Sequence, residues 1–464
     1  TENRDKERGA AMKILIKGAG DLATGIAAAF FRKGHQVVMT EIACPLTVRR
    51  QVAFSRTVYE KRAVVEEVEA VLVKDASQMQ QAVSSGKVAV IVDPEAKIRE
   101  VYKPDVLVDA ILAKRNTGTK KDDAPCVIGL GPGFCGGKDC YAALETMRGD
   151  TLGKILYDST PIPNTGIPGV VGGYSIERLL KASGDGKIEP KAKIGDIVEK
   201  GQIVAYTGGK PVYAGVAGVV RGMLQAGINV KTGLKIGDVD PRKDTSLVYK
   251  ISDKSNLLGM QACKVAEQYF CSQTGIVVLA AGRSGRYGEN KLLAEVGGSP
   301  MFRHIFEVLK EFPMCEKVVS TRFPQIMEEA KEQGIAVAEN NHPEWGIAYS
   351  LQCGLKKCLE QKPDVKKILF VVGDQPYLTA ETLRRLMGVS VQYPGKIICA
   401  GTHGRPGNPV LWDRKYFQEL LKLEGDTGGR QIMKKYPDEV IICETTKKEL
   451  HDIDQKTDID LSGQ

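Results

Sequence analysis

Ile276-Val-Val-Leu-Ala-Ala-Gly-Arg-Ser-Gly-Arg-Tyr-Gly-Glu-Asn-Lys291 is the stretch from which the rest of the chain is read. The apolar run Ile276 to Leu279 reads as a buried parallel strand. It stops at a loop of small residues, Ala280, Ala281 and Gly282, with Gly285 and Gly288 further on. Glycine lets successive backbone amides turn toward one ligand, and such a nest favours an anion. Arg283, Arg286 and Lys291 add positive charge around it. A nucleoside triphosphate suits this combination: amides and cations for the phosphates, and an Ala-Ala turn that lets a base lie close to the backbone. A tight turn carrying solvated cations is the plainer reading of the same residues.

The pattern Leu279-Ala-Ala-Gly-x-Ser284-x-Arg286-x-Gly288-x-x-Lys291 resembles the signature loop of sugar-phosphate and cofactor nucleotidyltransferases. It is most similar to the molybdenum cofactor cytidylyltransferases (MocA-like). That resemblance implies nucleotide contacts from Leu279, Ala280, Ala281, Gly282, Ser284 and Gly288, with Arg286 and Lys291 catalytic at the phosphates.

Downstream, strand and helix patterns alternate: a helix from Phe302 to Lys310, then Lys317 to Ser320, Ile326 to Gln333 and Ile335 to Glu339. This is βαβ rhythm, with a mostly parallel sheet. A helix is expected from Ser350 to Leu359, with Ser350 as its cap. The resemblance places Gly346 and Ser350 beside the nucleotide. Lys367 to Val372 is a second strong strand, ending in Gly373-Asp-Gln-Pro-Tyr377. An aspartate at the carboxyl edge of a parallel sheet sits where ligands bind in open α/β folds. Phosphoryl chemistry needs a hard cation held by one or two carboxylates, so Asp374 is the first metal ligand expected, for Mg2+. The closing Leu450-His-Asp-Ile-Asp454 resembles the family's Asp-Ile-Asp-Thr-Pro-x-Asp, which implies Asp454, or else Asp452, as the second. Gln455-Lys456-Thr457 departs from that pattern.

Two further loops, Gly401 to Val410 and Gly425 to Arg430, resemble the acceptor side. With Gln375 they supply Arg405, Gly407, Asn408, Asp426 and Arg430 as acceptor contacts, suited to a phosphorylated pterin. The family usually has His where Asn408 stands, so Asn408 is assigned to binding and not to proton transfer. The reaction implied is attack by the molybdopterin phosphate on the α-phosphorus of CTP, with pyrophosphate leaving. A donor such as GTP or another acceptor such as a sugar phosphate is the alternative within this class. A non-catalytic chaperone that binds and delivers the cofactor is the alternative outside it.

The first half carries a different βαβ unit. Lys13 to Lys17 leads into Gly18-Ala-Gly-Asp-Leu-Ala-Thr-Gly25, then an apolar helix from Ile26 to Phe31 and a strand from Gln36 to Thr40 ending on Glu41. Gly18, Gly20, Gly25 and Glu41 are the cofactor-binding candidates of a Rossmann-like unit, with NAD(P) as the ligand such a turn admits. Asp21 beside the turn opposes a pyrophosphate unless it caps the helix. A packing loop without a dinucleotide is the other reading. Further strands are expected at 70–73, 88–92, 106–111 and 126–130, with a second glycine-rich loop from Gly129 to Cys140. Cys135 and Cys140 receive no role.

From about 192 to 241, apolar residues alternate with turn pairs, and Ile194-Gly-Asp-Ile-Val is echoed by Ile236-Gly-Asp-Val. This predicts a small β-rich module of hammerhead or barrel-sandwich type. No lysine hairpin marks a swinging cofactor. The Gly18–Gly25 loop, the Gly129–Gly133 loop with Asp139, Glu145-Thr-x-Arg-Gly149, Asn164-Thr-Gly-Ile-Pro168 and Gly237-Asp-Val-Asp-Pro-Arg242 together resemble the accessory family of selenium-dependent molybdenum hydroxylases (YqeB-like). A maturation role follows from that resemblance, with a molybdenum hydroxylase apoenzyme as partner.

The whole is read as an α/β chain in four parts: a Rossmann-like accessory domain at 12–160, the β-rich module at 161–262, a linker at 263–273, and a Rossmann-like nucleotidyltransferase (GT-A-like) domain at 274–464. Hydrophobic content of 42% and charged content of 26% belong to a water-soluble globular chain. No apolar run approaches a membrane span, and the charged first residues lack a signal core. Eleven scattered cysteines fit reduced thiols in a cytoplasm. With five histidines and no Cys-x-x-Cys, a structural zinc site is not expected. A net charge of +8 spread along the chain suits anionic small molecules and not nucleic acid.

Overall fold

The computed structural model describes residues 11–164, 166, 170–282 and 290–453. The chain forms two compact units, one of Met12–Ala266 and one containing Glu267–Gln464.

The first unit opens with β1 (Lys13–Lys17), α1 (Asp21–Arg32), β2 (Gln36–Glu41), α2 (Thr57–Glu60), β3 (Arg62–Val65), β4 (Val68–Val73) and α3 (Ala76–Ser84). It continues with β5 (Val88–Val92), α4 (Arg99–Tyr102), β6 (Val106–Asp109), β7 (Cys126–Leu130), β8 (Ala142–Leu144) and β9 (Ile155–Leu156). These strands form one sheet in the order β3-β4-β5-β2-β1-β6-β7-β8-β9. All pairings from β4 to β8 are parallel, and only the edge strands β3 and β9 run antiparallel. Parallel strands are covered on both faces, which is why Ile14 to Ile16, Val106 to Val108 and Cys126 to Ile128 are continuous apolar runs at 0% exposure. The chain leaves β1 on one side and returns to β6 on the other, so the topological switch lies between β1 and β6.

Eight short strands follow: β10 (Leu179–Lys181), β11 (Gly186–Pro190), β12 (Ile197–Val198), β13 (Ile203–Thr207), β14 (Lys210–Tyr213), β15 (Gly218–Met223), β16 (Asn229–Val230) and β17 (Lys235–Asp240). They make two four-stranded antiparallel sheets, β10-β17-β15-β12 and β14-β13-β11-β16. Leu180, Ile188, Val204, Val212, Val220 and Ile236 fill the core they share. One buried face per strand explains the alternation read in the sequence.

Helix α5 (Asp253–Ser272) covers Cys263 to Ser272, a stretch whose sequence reads as a helical linker, and begins ten residues before it. Leu258, Ala262, Val265 and Ala266 give it a buried stripe at helical spacing, and its second half contains neither Gly nor Pro to end it.

In the second unit come β18 (Thr274–Ala280), β19 (Glu295–Val296), β20 (Ser299–Pro300), α6 (Met301–Lys310), β21 (Glu316–Thr321), α7 (Pro324–Glu332), β22 (Ala336–Glu339), α8 (Ile347–Gln361) and β23 (Lys367–Val372). Then follow α9 (Ala380–Gln392), β24 (Ile397–Thr402), β25 (Arg405–Asp413), α10 (Phe417–Leu420), α11 (Arg430–Lys435) and β26 (Val440–Glu444). The main sheet has the order β22-β21-β18-β23-β25-β24-β26, with β25 alone antiparallel. Alternate residues of β18 face opposite cores: Ile276 and Val278 pack with Phe306 and Leu369, while Val277 packs with Leu355, Phe370 and Trp412. The switch point lies between β18 and β23, whose carboxyl ends carry the Gly282 loop and Asp374. Among the described residues no helix is long and apolar enough to cross a membrane.

Candidate active site

The ends of β18 and β23 are tied together. Gly373 N–H donates to Leu279 O at 3.0 Å, so the two loops leave the sheet side by side. Lys291 returns from the far end of the first loop and places Nζ 2.7 Å from Asp374 Oδ2. Both side chains are largely enclosed, at 13% and 22% exposure. The return is anchored by Asn290, whose side-chain oxygen accepts Leu292 N–H, and by Leu292 in the core beneath. Arg286, Ser284, Gly288 and Asp454 lie outside the described residues.

Helix α8 closes the other wall. It starts at Ile347, not at Ser350, because Gly346 adopts φ +80° and a distant loop supplies the cap. Asp426 Oδ1 accepts Ile347 N–H at 3.2 Å and Gly425 O accepts Ala348 N–H at 3.2 Å. Ser350 therefore lies inside the first turn, 8% exposed, with its Oγ accepting Asn340 Nδ2 at 2.8 Å. Asn340, not singled out in the sequence, is 1% exposed and also accepts His342 N–H. A Cβ on Gly346 would stand 2.5 Å from the Gly425 backbone. Gly346→Ala is thus expected to lose about 2–4 kcal/mol of stability, from a glycine-only conformation plus a backbone clash. Its melting temperature should fall; a melt like that of the unaltered chain would remove this role.

Leu279, Ala281, Gly282, Lys291, Gly346, Ser350 and Asp374 line one cleft of about 330 Å³. Ala280 is 1% exposed beneath it, its carbonyl accepting Thr321 Oγ1 at 2.8 Å. Gly407, Asn408, Asp426 and Arg430 line an adjoining cavity of about 240 Å³, whose apolar walls include Leu351, Phe370 and Trp412. Leu279, Ile347 and Asp426 border both. Arg405, at the exposed start of β25, and Gln375 line neither cavity. Gln375 is 3% exposed, and its Nε2 donates to Asp452 Oδ1 at 2.9 Å.

The segment holding Asp452 is fastened further by Glu449. Its carboxylate accepts the hydroxyls of Thr379 at 2.6 Å, Thr382 at 2.8 Å and Thr446 at 3.2 Å. Burial pushes this carboxyl up, but the threonine donors outweigh it and hold its pKa below the usual value. No group of three or more His, Cys, Asp or Glu side chains forms a metal cluster among the described residues.

In the first unit the glycine turn has other work. Gly18 and Gly20 flank Ala19, whose N–H donates to Glu41 Oε2 at 3.0 Å. Burial raises the Glu41 pKa, against the lowering effect of the Ile42 and Ala19 amides it accepts. Asp21, the first residue of α1, takes Arg49 Nη1 at 2.7 Å and Ser255 Oγ at 3.1 Å. Gly25 is inside the helix, where a Cβ would stand 2.5 Å from Ser255 Cβ, so it serves the packing of α1 on α5. Of the amides in this turn, that of Ala19 is thereby held by Glu41 and that of Gly18 by the Thr40 carbonyl. Sequence reading missed the pair at the switch point itself, Lys17 and Asp109, whose Nζ and Oδ2 lie 3.3 Å apart. Cys140 is fully buried, and desolvation pushes its thiol up to about 12, so it is a packing residue at neutral pH. All eleven cysteines are free.

The second unit is thus a doubly wound sheet with a lysine–carboxylate pair in the cleft at its switch point. Residues 276–440 match the family described as the MobA-like NTP transferase domain, and this half of the chain is a nucleotidyltransferase. The chain is 40% identical to the uncharacterised protein YqeB of Escherichia coli (strain K12) over 246 residues, 53% of this chain and 46% of that one. It thus spans about half the length of that curated relative. Among solved structures it is similar to an Rv0371c homologue from Mycobacterium sp. strain JC1, at 22% identity and a TM-score of 0.35, over 41% of this chain and 95% of that one. It is also similar to Rv0371c of Mycobacterium tuberculosis H37Rv in complex with manganese, at 22% identity and a TM-score of 0.34, over 41% and 97% of the two chains.

Proposed function

We propose that the C-terminal domain transfers CMP from CTP to the phosphate of molybdopterin and releases pyrophosphate. The observation that carries this reading is the Lys291–Asp374 pair in a cleft that adjoins the Asn408–Arg430 cavity. The cleft takes the nucleotide, its phosphates at Gly282 and Lys291. The cavity takes the acceptor, with Arg430 for an anionic group and Phe370 and Trp412 as walls for a flat ring. In-line attack then needs positioning and charge neutralisation more than proton transfer. A phosphate monoester is already ionised near neutral pH, with a second pKa of about 6, so no general base is required.

Asp374 and Asp452 suit Mg2+, which takes one or two carboxylates and completes its shell with phosphate oxygens and water. When bound, it neutralises charge across the phosphates. Lys291 holds its ammonium at the same place and stabilises the departing pyrophosphate.

Pyrophosphate release should be measured with Mg2+, the molybdenum cofactor and each of CTP, GTP, ATP and UTP. Release with CTP alone is expected. Release with GTP, or with a sugar phosphate as acceptor, would keep the fold and overturn the substrate assignment; no release at all would favour a binding and delivery role.

For the first half we propose assistance in maturing a selenium-dependent molybdenum hydroxylase in the cytoplasm. The self-satisfied Ala19–Glu41 turn supports an accessory role over NAD(P) chemistry. Absence of any association between the full chain and a hydroxylase apoenzyme would remove it.

A further inference from the structure

We propose that Thr445 to Ile453 is a clasp whose two side-chain locks, Glu449 and Gln375, position Asp452 beside Asp374 as the second carboxylate of a divalent-cation site. This rests on the nucleotidyltransferase reading above. Asp452 is exposed and lies beyond β26 on a stretch with no regular secondary structure, so its placement depends on what ties that stretch down. Three ties are present. Ile453, 0% exposed, inserts into the core with Val371 and Leu378, and its N–H donates to Asp374 O at 3.1 Å. Gln375 Nε2 donates to Asp452 Oδ1 at 2.9 Å and to Leu450 O at 3.4 Å. Glu449 binds Thr379, the cap of α9, and Thr382 in its first turn, the helix that follows the Asp374 loop.

The clasp therefore joins the two chain segments that carry the carboxylates, at Asp374 itself and along the residues that follow it. Gln375 Oε1 is buried without a donor. Such an oxygen is costly in a dry core, and a hydrated cation brings donors through its water. Neither Glu449 nor Gln375 needs to touch the cation: each orients a group that does, and loss of such an outer partner weakens metal affinity.

The test is Mn2+ binding to the full chain with CTP, followed by electron paramagnetic resonance, beside steady-state kinetics. Glu449→Ala is expected to weaken Mn2+ binding by about tenfold or more, with kcat at saturating metal and KM for CTP close to those of the unaltered chain. Unchanged Mn2+ affinity in a folded Glu449→Ala chain overturns the clasp. Failure of the unaltered chain to bind Mn2+ with CTP overturns the underlying metal reading instead. If Glu449→Ala does not fold, Thr382→Val removes one donor to the same carboxylate, and no loss of affinity there overturns the clasp equally.

Discussion

Asp374→Asn is expected to lower pyrophosphate release by at least about 10³-fold, the scale on which a group placed at developing phosphoryl charge acts. The substitution keeps the size of the side chain and an oxygen for Lys291, but removes the charge that a cation needs. Stability should be nearly unchanged, because Asp374 stands at a strand end, 22% exposed and outside the apolar core. The measurement is pyrophosphate release beside a thermal melt. Activity near that of the unaltered chain with an unchanged melt would sink the metal assignment. Loss of both would mean that the Lys291–Asp374 contact is structural. Lys291→Ala separates the two roles further, since it removes the cation at the phosphates and leaves the carboxylate in place.

Asp109→Ala is expected to cost the first unit about 3–5 kcal/mol, because it strands a buried ammonium. Lys17 and Asp109 have side-chain exposures of 8% and 3%. Thr119 bridges them, accepting from Lys17 Nζ and donating to Asp109 Oδ2 at 2.6 Å, and Ile111 N–H donates to the other carboxylate oxygen. Replacing both partners, as Lys17→Met with Asp109→Leu, should cost much less, since a buried pair gives back in attraction roughly what its desolvation takes. Urea melts of the single and double variants make the comparison. A single variant as stable as the unaltered chain, or a double variant as unstable as the single one, would contradict this account.

Local sequence was informative wherever a face or a turn dictates composition. The apolar run Ile276 to Leu279 could hardly be anything but a strand covered on both sides, and the alternation from 192 to 241 announced sheets with one buried face. Asp374 was readable because a strand followed by Gly-Asp places a carboxylate at a sheet edge. The extent of α8 was not readable: Ser350 looked like a cap, but Gly425 and Asp426, more than seventy residues away, begin the helix at Ile347. Gln375 looked like an acceptor contact by its neighbourhood in the chain, whereas burial turned it toward Asp452.

The glycine turn after β1 carries the same lesson. Gly18, Gly20 and Gly25 have dinucleotide-like spacing, yet spacing cannot say whether the amides face a ligand or a neighbouring carboxylate. In the fold Glu41 accepts the Ala19 amide of the turn, and Ser255 of α5 packs against Gly25 inside α1.

By itself the sequence determined the parallel sheets, the β-rich module and the position of Asp374 at a strand end, because periodicity and turn residues act over a few neighbours. Only the tertiary structure decided which polar groups gather at the cleft, as Lys291 and Asp374 do, and which are spent on the protein: Gln375 on Asp452, Glu449 on Thr379, Glu41 on Ala19. Those choices follow from burial, since a polar group withdrawn from water must find a partner and the partner is seldom near in sequence.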